Sequence, residues 1–79
     1  MNKNIKLIWD FRGEEALGMA QHHLLHLNEY AQRAKIDLVV SGADKISELH
    51  HIAFIVVKEA EMIVVRDALK PHRAQWHST

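Results

Sequence analysis

The chain has 79 residues, 48% of them apolar, with ten basic residues balanced by ten acidic ones and no cysteine. That length holds one domain and one core (1–79), the apolar fraction is too high for a disordered tail, and disulfides and thiolate zinc sites are excluded. Chains this short bury only about 60% of their unfolded surface, so tight packing, histidine or carboxylate metal ligands, or a partner subunit must make up the stability.

Lysine and arginine are scattered, which leaves no electrostatic footprint for nucleic acid or an anionic membrane. The longest apolar stretch, IAFIVV at 52–57, is far short of a membrane span. Lys6, Asp10 and Arg12 interrupt the first apolar segment, so no secretory leader is expected and the cytoplasm is the expected location.

In chain order, IKLIWDF at 5–11 alternates: Ile5, Leu7, Trp9 and Phe11 share one face, with Lys6, Ile8 and Asp10 on the other, which predicts a strand. From Glu14 to Ala34 a helix is expected. Glu14 and Glu15 suit its N-terminal dipole, and Ala16, Leu17, Ala20, Leu24, Leu27, Ala31 and Ala34 form one apolar stripe. IDLVV at 36–40 predicts a second strand, and SGAD at 41–44 carries turn chemistry.

Residues 50–57, HHIAFIVV, predict a third strand that is apolar on both faces and hence central. A second helix is expected over 58–70, with Ala60, Ile63, Val64 and Ala68 at helical steps, although the β-branched run at 63–65 opposes it. Pro71 stops it. The tail HRAQWHST is either a short edge strand or an irregular flap.

The resulting order is β-α-β-β-α with a C-terminal strand in question, the α+β ferredoxin-like or split βαβ plan. Two helices roof only one face of such a sheet. The other face would expose Val or Ile side chains of the third strand and, depending on register, Ile8 and Val39. An apolar sheet face of that kind marks an interface, and a second copy packed sheet to sheet would bury it, so a homodimer is expected.

In element order and length, over most of the chain, the sequence resembles small dimeric ferredoxin-like α+β-barrel bacterial proteins, a group with monooxygenase-like and isomerase-like members. That resemblance implies a dimer with a small cleft between each sheet and its helices.

Seven histidines raise the question of a site. His22 and His26 share the helix face opposite the apolar stripe. At i, i+4 they can chelate one ion, with Glu29 one turn on as a third ligand, although a solvated polar face accounts for the same pattern. His23 lies at the edge of the stripe, where it either lines a cleft or bonds to the backbone. His50 and His51 must point to opposite sheet faces, since strand side chains alternate.

A cleft lined by Trp9, His23 and Trp76, with His51 and His72 as polar groups, would suit a small apolar or aromatic ligand; core and lid packing is the plainer account of two tryptophans. In such a site a histidine would be the natural general base. His72 and Arg73 follow Pro71 and offer positive charge to an anion. No glycine-rich phosphate loop or nucleophile elbow is present, and no cofactor is implied. The leading expectation is therefore a small-molecule-binding protein, with an interaction module or a histidine metal site as alternatives.

Overall fold

The computed structural model describes residues 3–77. The elements are β1 (Asn4–Arg12), α1 (Ala16–Ala34), β2 (Val40–Ser47), β3 (His50–Lys58), a single 3-10 turn (Glu59–Glu61), α2 (Met62–Leu69) and β4 (Arg73–His77). The four strands form one antiparallel sheet in the order β2-β3-β1-β4. This is the ferredoxin-like arrangement that the element order predicts, with the two most apolar strands in the centre.

Both helices lie on one face. Ile5, Leu7 and Trp9 of β1 and Ala53, Ile55 and Val57 of β3 pack with Ala20 and Leu27 of α1 and Val65 of α2. Alternation along β1 and β3 delivers every second side chain to this layer. The helix stripe read from the sequence is buried in part: Ala16, Ala20, Leu27 and Ala31 are sequestered and Leu24 is half-buried, while Leu17 and Ala34 are exposed. Lys35, at φ 59°, closes α1 in the left-handed conformation, and its N–H together with that of Ile36 caps the last carbonyls. Lys70 ends α2 in the same way, at φ 50°, immediately before Pro71.

Three expectations need correction. The second strand runs over 40–47 rather than 36–40, so SGAD is paired strand: Val40 opposes Val56, Gly42 opposes Phe54 and Ala43 opposes Ala53. Gly42 is there for space. A Cβ at that position would lie 2.9 Å from the tip of the Phe54 ring, which rests across the strand. Residues 36–38 are irregular, although Ile36 and Leu38 still pack on the core. The second helix is shorter than predicted, beginning at Met62 after the 3-10 turn.

The third correction concerns the face without helices. Ile8, Ile52 and Val56 point there, yet they are only 1%, 3% and 0% exposed in the single chain. The Lys6 ammonium sits 4.2 Å above the Phe54 ring, and Asp10 is tied to Arg73. On this face Val40 of β2 is 41% exposed; other exposed apolar side chains lie elsewhere, including Val39 before β2, Leu49 in the β2–β3 turn, and Ile63 and Val64 on α2. The C-terminal segment left open between strand and flap is strand β4, paired to β1 from Asn4↔His77 to Ile8↔Arg73.

Candidate functional site

Polar chemistry gathers at one end of the sheet, where β1 finishes, β3 begins and β4 enters. On the helix side, the His23 ring of α1 lies 5.2 Å from Trp9 and 5.5 Å from Phe11, centroid to centroid and tilted to both. His72 stands 6.4 Å from Phe11. His51 opposes Phe11 across the β1–β3 ladder and is buried. Trp9 is fixed by its indole N–H, which donates to the Leu69 carbonyl at 3.1 Å, joining the strand to the end of α2.

His72 is held at the rim by backbone alone. Its N–H donates to the Ile8 carbonyl at 3.0 Å, and its ring Nδ1 accepts from the Asp10 N–H at 2.8 Å. That acceptor role places the ring's proton, when neutral, on Nε2.

His23 differs from the other imidazoles. Its Nε2 is buried and has no hydrogen-bond partner among the described residues. Burial, followed by repulsion from His26, His72 and His22, holds its pKa below the ordinary 6.5. A neutral imidazole with one unsatisfied nitrogen between two aromatic rings is an uncommon arrangement, since buried polar atoms are nearly always paired.

The open face at the same end carries a second polar group, which sequence reasoning did not assemble. Asp10 Oδ1 accepts from His50 Nε2 at 2.7 Å and from Arg73 Nη2 at 3.1 Å, while Oδ2 accepts from Arg73 Nε at 2.9 Å. The fork-on-carboxylate geometry is the strong bidentate kind. The Arg73 hydrogen bond, with lesser help from His50, outweighs burial and lowers the Asp10 carboxyl from 3.8 to about 2. Even-numbered positions of β1 and β3 share this face, the one signal that could have joined Asp10 to His50.

The expected cleft is thus brought together in part. Trp9, His23, His51 and His72 share one end, with Phe11 added. Trp76 does not join them: it opposes Ile5 and is 63% exposed. That is four residues further back along β1, about 13 Å at ~3.3 Å per residue. There it borders a shallow cleft with Ile5, Met62, Ala74 and Gln75, and Lys3 stacks on its ring.

Of the expected metal set, His22 and His26 converge, with Nε2 atoms 3.0 Å apart. Glu29 meets His26 on the far edge of its ring, Oε1 to Nδ1 at 3.5 Å. Among the described residues no group of three or more His, Cys, Asp or Glu side chains is placed to hold one ion, and no helix is long and apolar enough to cross a membrane.

The fold and this end of the sheet define a small ferredoxin-like α+β domain with an imidazole–aromatic cluster at one end. Comparison with family models, with curated proteins and with solved structures finds no match to the chain.

Proposed function

We propose that this protein binds a small, flat, partly polar molecule at the Trp9–Phe11–His23–His72 end of the sheet. One observation carries the reading: the buried, unpartnered Nε2 of His23 between two aromatic rings. An aromatic ligand bearing a hydrogen-bond donor or acceptor, according to the tautomer of the ring, would satisfy that nitrogen and stack on the rings. His72 is exposed and held by two backbone contacts, so displacing it opens the route to His23. Were the bound molecule to react, His23 would be the group to take a proton, since burial keeps its ring neutral.

The domain would act as a homodimer across the helix-free sheet face. Two features support that: neither helix covers this face, and Phe54 and Val40 there remain partly exposed. Because Ile8, Ile52 and Val56 are already covered, the association gains little apolar burial and would depend on concentration.

The test is a native mass spectrum of untagged protein as isolated, followed by titration with indole, catechol and benzoate observed at the His23 ring by NMR. A retained organic mass, or a saturable shift at His23 that is weakened in Phe11→Ala, supports the reading. If no molecule is retained and all three probes at millimolar concentration leave the His23 signals unmoved, it fails.

A further inference from the structure

Helix α1 carries a second feature that the proposed ligand site does not use. His22 and His26 are one turn apart in the middle of a 19-residue helix, on its exposed side. Their rings are nearly perpendicular, with centroids 4.5 Å apart, and their Nε2 atoms approach to 3.0 Å. The two nitrogens therefore face each other on the exposed side of the helix, at a separation that one ion can bridge. The helix backbone fixes their spacing, which lowers the cost of ordering two ligands.

The separation limits which ion fits. With metal–imidazole bonds of about 2.0–2.1 Å, nitrogens this far apart subtend an angle of roughly 90–100° at the metal. A tetrahedral ion needs its ligands about 3.3 Å apart at the same bond length. Right-angled neighbours belong instead to tetragonal coordination, the preference of copper(II) and nickel(II) bound to nitrogen.

Glu29 has its own part. Its carboxylate faces Nδ1 of His26, the edge turned away from His22. A carboxylate behind a ligating imidazole holds the proton on the rear nitrogen and leaves the front lone pair free, the usual outer support of a metal-bound histidine. Without metal, one of the two Nε2 atoms carries the proton shared between the neutral rings. For an ion to take its place, that proton must move to Nδ1 of the same ring.

We propose that His22 and His26 form a two-nitrogen site for a divalent ion of tetragonal preference, copper(II) first, with Glu29 orienting His26 rather than touching the metal. The remaining positions are open to water, since no third ligating side chain of this chain is in place among the described residues.

The experiment uses untagged full-length protein, copper(II) chloride as the probe, and electron paramagnetic resonance with calorimetry at pH 7.5. The expected result is one ion per chain, a tetragonal spectrum split by two nitrogens, and loss of binding by at least tenfold in both His22→Gln and His26→Gln. Glu29→Gln should weaken binding severalfold while the two-nitrogen spectrum persists, which separates orientation from ligation. The double variant His22→Gln/His26→Gln keeps five histidines. If it binds copper as tightly as the parent, or if Glu29→Gln changes the coordination spectrum, the proposal is overturned. Circular dichroism of each variant confirms that α1 is intact, as expected for substitutions on its exposed side.

Discussion

Replacing Asp10 with Asn removes the charge that joins three strand ends. Asp10 and His50 are 18% and 12% exposed in their side chains, so water replaces the lost contacts poorly. The carboxyl lies at about 2 instead of 3.8, and each tenfold change in acidity corresponds to about 1.4 kcal/mol, which sets an upper bound near 2.4 kcal/mol. Arg73 is 48% exposed, so solvent screening brings the expected loss down to about 1–1.5 kcal/mol. With a urea slope of about 1 kcal/mol per molar, the unfolding midpoint at pH 7 should fall by about 1–1.5 M.

The pH dependence has a definite sign. A carboxyl acidified by folding stabilises the folded state above its ordinary pKa of 3.8, and that contribution is lost as pH falls through 3.8 toward 2. Parent and Asp10→Asn should therefore differ fully at pH 7 and converge below pH 2. Urea unfolding followed by far-ultraviolet circular dichroism at pH 7, 4 and 2 measures this. Equal midpoints at pH 7, or a difference undiminished at pH 2, would refute the role given to the Asp10 charge.

Leu27→Ala empties a fully buried position in the centre of the core and should cost about 3 kcal/mol in urea unfolding, a large share of a small domain's stability. At Gly42, alanine should be nearly neutral, within about 0.5 kcal/mol, because the Phe54 ring tip can tilt and the unfolded chain loses freedom; valine should cost about 1–3 kcal/mol by overpacking. His23→Leu removes an unpaired buried nitrogen and should raise stability by about 1 kcal/mol while abolishing any ligand response. The gain should widen below pH 6.5, because the unfolded chain binds a proton at His23 before the folded one does. Thermal melts in EDTA at pH 7.5 and 5.5 test that order.

What the sequence made legible follows from how local each signal is. The period of two in IKLIWDF and the stripe from Ala16 to Ala34 are decided within their own segments, and both match the elements formed. Strand β2 was hidden because it is an edge: its residues are mostly exposed, so no apolar alternation marks it, and Ser41, Gly42 and Asp44 look like a turn. The opposite facing of His50 and His51 is local and could be read directly. The Asp10–His50–Arg73 group spans separations of 40 and 63 residues, and only the pairing of three strands brings it together. Nothing in the sequence fixes where the tail docks, so the distance between Trp76 and Trp9 is not legible in it. Running antiparallel to β1, β4 carries its later residues back toward the start of that strand.

The aromatic ring lying over a bare α-carbon also bears on how this hairpin finds its alignment. The turn at Glu48 and Leu49 contains no glycine or asparagine to dictate a loop geometry. Sliding β2 by two places would bring Val40 or Asp44 under Phe54 in place of Gly42, and sliding it by one would turn its side chains to the wrong layer. Misaligned pairings are thus rejected by collision, and the chain checks its own assembly with a residue that contributes almost nothing to its interior.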